Sequence, residues 1–187
     1  MQQQLISAVA AAALTRITGI FQRHCSPDVQ KLRGSPGGGR WGPPGAYSVI
    51  YLGRPERTIV VEAYRHLVDD DLDGLLTGDM VGPRNLLTLE VDVPEILDLR
   101  QAASQQAVGL DAAALASPVG QYALCERVGQ AAHQLGLYGI IAPAATGMGE
   151  TLALFEERLP QEHWPVLQDT TRWEHLPADP RRLRIVG

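Results

Sequence analysis

The sequence predicts an α+β fold in one domain. The chain has 187 residues, of which 45% are hydrophobic and 20% charged, values typical of a globular domain with its own core. Strand-like runs and helix-like segments both occur, but they do not alternate as regular strand–helix–strand units. We therefore expect a mixed sheet with flanking helices rather than a doubly wound parallel sheet.

The first half of the chain predicts two helices and two strands around a long loop. The N-terminus is rich in alanine, TRITGIF alternates, and AYSVIYL is rich in β-branched and aromatic residues. Pro55 suits the first turn of a helix, because its missing N–H needs no partner there. The expected elements are a helix at 2–14, strands at 15–21 and 46–52, a loop at 27–45, and a helix from Pro55 to about Val68.

The second half predicts shorter elements and a tail. Apolar runs of strand length predict buried strands, and Gly136 is a plausible C-cap for the helix before it. The tail, residues 161–187, is expected to pack on the domain as ordered loop and edge strand. The other expected elements are strands at 85–93, 138–142 and 151–155, short helices at 95–99 and 111–116, and a helix at 121–135.

Charge and composition exclude several classes of protein. The net charge of −5, the pI near 5.5 and the aromatic content of 5% argue against a nucleic-acid binder. No apolar run approaches the roughly 18 residues of a membrane span, and no basic residue precedes the apolar N-terminus as in a signal peptide. Cys25 and Cys125 are expected to be reduced thiols, so the sequence favours a cytoplasmic protein.

Three possible binding motifs are not supported by the residues around them. Gly37, Gly39 and Gly42 match GxGxxG, but no strand precedes them and two prolines follow. The acidic stretch DDDLDG lacks the glutamate that completes a calcium loop. The five histidines show no zinc-site spacing. We therefore expect no metal.

One set of polar residues remains as a candidate site. Arg40, Tyr51 and Glu62 lie eleven residues apart in GGGRWGPPGAYSVIYL and in the helix that follows. A loop, a strand and the next helix can converge on one cleft, where the glycines allow close approach of the backbone. Arginine suits a phosphate, tyrosine offers a flat face, and glutamate can stabilise positive charge on a sugar. A surface ion pair, a core tyrosine and an exposed glutamate remain open as alternatives.

Two longer stretches resemble the RES-domain family of bacterial toxins related to ADP-ribosyltransferases. They are GGGRWGPPGAYSVIYLGRPERTIVVEAYRH and QAAHQLGLYGIIAPAATGMGETLALFEERL. The resemblance covers about residues 12–160. It implies a single RES-like domain over residues 1–187, with a split β-sheet core of ADP-ribosyltransferase type and flanking helices.

The resemblance also implies a function and a set of site residues. Family members cleave NAD, as substrate, between nicotinamide and ribose, with phosphate or water as acceptor and without a metal. Their usual partner is an antitoxin with a helix-turn-helix DNA-binding portion. Carried onto this chain, the catalytic residues are Glu62, Arg40 and Tyr51. The residues expected to hold NAD are Arg40, Trp41, Tyr51, Gly39 and Thr146.

The chain departs from the family pattern at the namesake serine, which is Ala144 here. Thr146, two residues further on, is a possible substitute. Loss of one preorganised donor costs roughly 10²–10³-fold in rate, so this departure concerns turnover more than binding. Two alternatives therefore stay open: an ADP-ribosyltransferase that modifies a protein, and a weakly active or non-catalytic interaction module with the same fold.

Overall fold

The computed structural model describes residues 2–29, 31–71 and 73–182. Five α-helices and six β-strands are present in these ranges. The helices are α1 (Gln2–Ala10), α2 (Glu56–Leu67), α3 (Ala102–Ala107), α4 (Ala112–Leu115) and α5 (Ala123–Gln134). The strands are β1 (Leu14–Cys25), β2 (Val49–Arg54), β3 (Arg84–Asp98), β4 (Gly139–Pro143), β5 (Glu150–Phe155) and β6 (Val166–Trp173). The fold is α+β, as predicted.

Five of the strands close into a barrel-like ring. Antiparallel pairing joins β1 to β2, β2 to β5 and β5 to β4, and β4 then runs parallel to the end of β3. The long antiparallel pairing of β1 with β3, from Leu14–Leu97 to Cys25–Asn85, completes the ring. The sixth strand, β6, pairs with the first part of β3 and forms an edge. This edge strand is the ordered part expected of the tail.

Three apolar clusters stabilise this arrangement. One draws buried side chains from all five strands of the ring, with Phe21, Ile50 and Leu154 among them, and so fills its interior. A second packs α1, α4 and α5 on the outer face of β2, β4 and β5. The third fixes α2 against Leu86 and Trp173. The helix α2 is therefore held at the end of β2, next to the loop that carries Arg40.

One expected helix is a strand. The sequence predicts a helix at 95–99, but residues 95–98 belong to β3. Glu95 takes a positive φ of 55° and forms an irregularity, after which Ile96, Leu97 and Asp98 pair with β4. The bulge allows β3 to pair with β6 along its first part and with β4 at its end. In addition, α3 was not expected, and β1 is longer than its alternating pattern predicts.

Among the described residues, no helix is long and apolar enough to cross a membrane. Within the same ranges, no group of three or more potential metal-binding side chains is clustered. Both cysteines are free and buried.

Candidate active site

Arg40 lies at the tip of a tight turn. Gly39 and Gly42 donate backbone hydrogen bonds to each other, at 2.9 and 3.2 Å, and leave Arg40 and Trp41 as the two residues of the turn. A side chain at Gly39 would start only 2.7 Å from the Tyr51 hydroxyl oxygen. The glycines therefore make the turn possible where it meets β2. The next element after the turn is β2, not the helix that a dinucleotide-binding fingerprint requires.

Two tyrosines fix the turn through the backbone of Trp41. The Trp41 N–H donates to the Tyr51 hydroxyl at 3.0 Å, and the Tyr47 hydroxyl donates to the Trp41 carbonyl at 2.8 Å. The Trp41 side chain is fully buried in the core. Burial raises the pKa of Tyr51, so its hydroxyl stays protonated. Tyr51 therefore lies beneath the arginine turn and holds it in place.

The Arg40 side chain is buried without its full set of partners. It is 8% exposed, and within the described ranges its Nε has no hydrogen-bond partner. Its guanidinium carbon lies 5.7 Å from the centre of the Tyr122 ring. Since a buried guanidinium is normally paired, this one offers a binding surface to an anion.

The N-terminus of α5 lies beside this guanidinium. Gly129, two turns into the helix, packs against the Trp41 backbone, so the Arg40 side chain extends along α5 toward Tyr122, the N-cap residue. The Tyr122 side chain makes no capping hydrogen bond. A helix N-terminus favours negative charge, which adds to the positive potential around Arg40.

Glu62 lies on α2 and is held by its neighbours on the same helix. Its carboxylate oxygens are both 3.3 Å from Nη1 of Arg65, and one of them is 3.7 Å from Nε2 of His66. The Glu62 side chain is 18% exposed and that of Arg65 12%. The Glu62 carboxylate is therefore partly buried and still reaches solvent.

Two contacts place Arg40 and Glu62 in the same region of the molecule. Arg40 lies beside the Tyr122 ring, and Arg65, which contacts Glu62, donates to the Ser117 carbonyl five residues before Tyr122. Burial raises the pKa of Tyr122, while the positive charges of Arg40 and Arg65 oppose that change. Burial lowers the pKa of His66, against the effect of the Glu62 carboxylate. Glu62 also influences Tyr122, and Arg40 also influences His66. Arg40 and Glu62 thus lie in one region of the molecule, linked by Tyr122 and Arg65, with Tyr51 directly behind the turn.

Sequence reasoning missed Arg65, His66 and Tyr122. The first two were visible as neighbours of Glu62, three and four residues along a predicted helix, where side chains share a face. Tyr122 is 82 residues from Arg40 in the chain, and no local pattern links the two. Only the packing of α5 against the arginine turn joins them.

The turn after β4 contains Ala144 and Thr146. Ala144 is 3% exposed, and its N–H donates to the Gly149 carbonyl at 3.0 Å. The Thr146 hydroxyl lies 3.5 Å from the Met148 N–H, a weak contact within the turn. The buried Thr58 hydroxyl donates to the Met148 carbonyl at 2.6 Å, which ties the turn to the first part of α2. Because Thr58 and Glu62 are four residues apart on α2, they share a face of the helix.

A separate cavity of about 510 Å³ is lined by Arg54, Arg100, Glu150 and three further residues. Side chains alternate along β2, so Arg54 and Tyr51 point to opposite faces of the sheet. Each arginine here pairs with a carboxylate, Arg54 with Glu150 at 2.6 Å and Arg100 with Asp98 at 2.6 Å. Because these two arginines are paired, the cavity differs from the surroundings of Arg40, whose Nε has no hydrogen-bond partner among the described residues.

Comparison with known proteins gives a consistent result. The RES domain family model matches residues 13–178, past residue 160 and through the whole of β6. The NAD(+) phosphorylase MbcT of Mycobacterium tuberculosis is 30% identical over 123 residues, which cover 65% of this chain and 63% of MbcT. The chain thus spans less than two thirds of the MbcT relatives that it matches.

Two further comparisons extend over most of the chain. A probable NAD(+) phosphorylase of M. tuberculosis, Rv3189, is 30% identical over 199 residues, covering 96% of this chain and 91% of that protein. A crystal structure of the M. tuberculosis MbcT–MbcA toxin–antitoxin complex superposes with a TM-score of 0.80 at 24% identity. It covers 91% of this chain and 92% of the matched chain, which shows that the fold is shared.

Proposed function

The chain belongs to the RES domain family, and we propose that it is an NAD-cleaving toxin that transfers ADP-ribose to inorganic phosphate. The relatives named NAD(+) phosphorylase support this reaction. The single observation that carries the proposal is the buried Arg40, whose Nε has no hydrogen-bond partner among the described residues and whose guanidinium suits an anionic ligand. A dinucleotide with a pyrophosphate supplies that anion.

The reaction breaks one bond and forms another at the same carbon. The bond between the nicotinamide nitrogen and C1 of its ribose breaks, and the electron pair leaves with neutral nicotinamide. The sugar acquires oxocarbenium character, as in glycoside cleavage. A phosphate oxygen then forms the new bond to C1; with water as acceptor, the product is ADP-ribose and one proton is released. The positive charge of nicotinamide already activates it for departure.

Each site residue has a task in this scheme. Arg40, with the N-terminus of α5, binds the pyrophosphate. The Glu62 carboxylate stabilises the positive charge on the ribose and binds one of its hydroxyls. Tyr51 and Gly39 support the arginine turn, and Trp41 anchors it in the core. Thr146 lies in the turn after β4, two residues after the position of the family serine, and we assign it to NAD binding.

Partner, compartment and fold type belong to the same proposal. The structural likeness to a protein of a toxin–antitoxin complex supports an antitoxin partner. We propose, from the family resemblance, that this partner has a helix-turn-helix DNA-binding portion. The protein acts in the cytoplasm, on NAD, without contacting nucleic acid itself. We further propose that the barrel-like sheet is a variant of the split ADP-ribosyltransferase core.

Nicotinamide release by the purified protein, with and without phosphate, tests this function. Release that rises with phosphate is the expected result. Release that ignores phosphate would favour hydrolysis, and incorporation of labelled ADP-ribose into protein would favour transfer to a macromolecule. Binding of NAD without any release of nicotinamide would favour the non-catalytic interaction module. The alanine at position 144, in place of the family serine, would then explain the lost activity.

The variant Glu62→Gln separates chemistry from binding. We expect at least a 100-fold loss of turnover, since the amide cannot stabilise a positive charge, with NAD affinity within a few fold. Glu56→Gln, an exposed position on the same helix, is the matched control and should retain activity. Full activity of Glu62→Gln would exclude this residue from the reaction.

A further inference from the structure

Arg65 connects two parts of the cleft that are distant in sequence. Its Nη1 lies 3.3 Å from both oxygens of Glu62, and its Nη2 donates to the Ser117 carbonyl at 3.2 Å. The side chain is 12% exposed, so these contacts form with little competition from water. One guanidinium therefore binds the carboxylate on α2 and a backbone oxygen between α4 and α5.

The segment reached through Ser117, residues 117–122, is here called the Tyr122 wall of the candidate site. Residues 117–121 lead into Tyr122, the N-cap residue of α5, whose ring lies beside Arg40. Inside this segment, the Gln121 N–H donates to the Pro118 carbonyl at 3.1 Å, and the Ser117 hydroxyl donates to Ala113 at 3.3 Å. Both contacts are local, so Arg65 provides the connection from this wall to α2.

The two other groups near Glu62 differ from Arg65. His66 is 47% exposed on its side chain and approaches the carboxylate only to 3.7 Å. Arg40 makes no ion pair with Glu62 among the described residues. Only Arg65 combines burial, contact with both carboxylate oxygens and a bond to a second segment, a geometry that the planar guanidinium permits and a lysine ammonium does not.

We propose that Arg65 is a positioning residue for the reaction: it aims the Glu62 carboxylate and couples α2 to the wall that carries Tyr122. The inference rests on the proposed function, because aiming a carboxylate matters only if that carboxylate acts on the substrate. Arg65 itself touches neither the ribose nor the phosphates. Its effect therefore belongs to kcat, while NAD binding depends on Arg40.

The kinetic test compares Arg65→Ala and Arg65→Lys with the matched control Arg57→Ala, an exposed arginine on the same helix. We expect Arg65→Ala to lower kcat about 10- to 100-fold with KM changed less than threefold, as for residues that orient a functional side chain. Arg65→Lys should recover part of the loss. Guanidinium ion at millimolar concentration should restore activity to Arg65→Ala, and leave Arg57→Ala unchanged.

A second measurement does not depend on turnover. Hydrogen exchange at residues 117–122 should become faster in Arg65→Ala and remain unchanged in Arg57→Ala, because the bond to Ser117 is lost. Equal exchange in the two variants would overturn the coupling. A loss of activity confined to KM, or no rescue by guanidinium in a folded variant, would overturn the positioning role. If Arg65→Ala does not fold, Arg65→Lys replaces it: kcat should fall by less, and exchange at residues 117–122 should still be faster than in Arg57→Ala, and equal exchange would again overturn the coupling.

The two proposals fail in different ways. If the unmodified protein releases no nicotinamide, the proposed function fails, and the exchange measurement still decides whether Arg65 couples the two walls. If the protein is active and Arg65→Ala retains its kcat, the function stands and the positioning role is wrong.

Discussion

At the scale of a single residue, burial of Arg40 disfavours folding but suits the binding of an anionic ligand. The residue is 8% exposed, and its Nε lacks a partner among the described residues. Contact with the Tyr122 ring contributes roughly 0.5–2 kcal/mol, less than the cost of removing an unpaired charge from water. The folded protein therefore carries an electrostatic cost that an anionic ligand removes.

Replacement of this arginine should stabilise the protein and abolish binding. For Arg40→Met, we expect the free energy of unfolding to rise by about 1 kcal/mol, because an apolar side chain of similar length replaces an unpaired charge. NAD binding should fall below detection. Urea unfolding and equilibrium binding measure the two effects, with Arg57→Met as the exposed control. A variant less stable than the parent would mean that the guanidinium is paired in solution.

At the scale of elements, the site depends on how closely α5 approaches the arginine turn. Gly129 lies in α5 directly against the Trp41 carbonyl, and a methyl group at this position would overlap that oxygen. Tyr47, which hydrogen-bonds to the same carbonyl, stacks on the His133 ring of α5 at 4.0 Å. The helix and the turn are therefore fixed to each other by close contact, and this contact determines the position of the Arg40 side chain.

The variant Gly129→Ala tests this contact by the sign of its effect. Alanine normally stabilises an open helical position by about 1 kcal/mol relative to glycine. Here we expect the opposite, a loss of roughly 1–3 kcal/mol, because the helix and the turn must separate. Thermal unfolding measures it, and Gln130→Ala, at the exposed neighbouring position, should be neutral or slightly stabilising. A more stable Gly129→Ala would contradict the close packing.

At the scale of the whole molecule, closure of the ring by β1 and β3 buries ionisable groups between the strands. His24 on β1 pairs with Leu86 of β3, and its Nδ1 lies 3.2 Å from Nη2 of Arg84. Burial lowers the pKa of His24 to about 3, with the charge of Arg84 acting in the same direction. The imidazole is therefore neutral in the folded protein and accepts a hydrogen bond from the arginine.

This histidine makes the stability depend on pH. Between about pH 6.5 and pH 3 the unfolded chain binds a proton that the folded protein does not, so stability is lost as pH falls through this window. Because the imidazole is partly exposed, we expect a loss of about 1–2 kcal/mol between pH 7 and pH 4. Burial also lowers the pKa of His66 and His133, which add to the slope.

Urea unfolding at a series of pH values checks this expectation. His24→Gln keeps an acceptor for Arg84 and should flatten the slope between pH 7 and pH 4. The exposed His175→Gln serves as the control and should leave it unchanged. An unchanged slope in His24→Gln would show that this histidine is not buried in neutral form.

At lower pH, two carboxylates also affect stability. The arginine partners of Asp98 and Asp179 lower the pKa values of these groups, so the stability that the two ion pairs contribute is lost when the carboxylates are protonated.

The elements that the sequence predicted well are those with a local cause. Gly136, which follows the C-cap residue Leu135 and adopts a positive φ of 79°, ends α5 at the glycine that was predicted to cap it. The buried strands β4 and β5 follow their apolar runs within one residue. The helix α2 begins directly after Pro55. The error at 95–99 also has a local cause, since a bulge at Glu95 looks like a break in the chain although the strand continues beyond it.

By itself, the sequence determined the α+β class, the order of most elements, the arginine turn and the family to which the chain belongs. Glycine and proline limit the backbone locally, and apolar periodicity reports which face of an element is buried, so these features need no knowledge of neighbours. Only the tertiary structure decided that Tyr51 supports the turn, that Tyr122 lies beside Arg40, and that Arg65 joins Glu62 to Ser117. These contacts join residues through the packing of α2 and α5 around a closed sheet, and no single segment of the chain contains the information that specifies them.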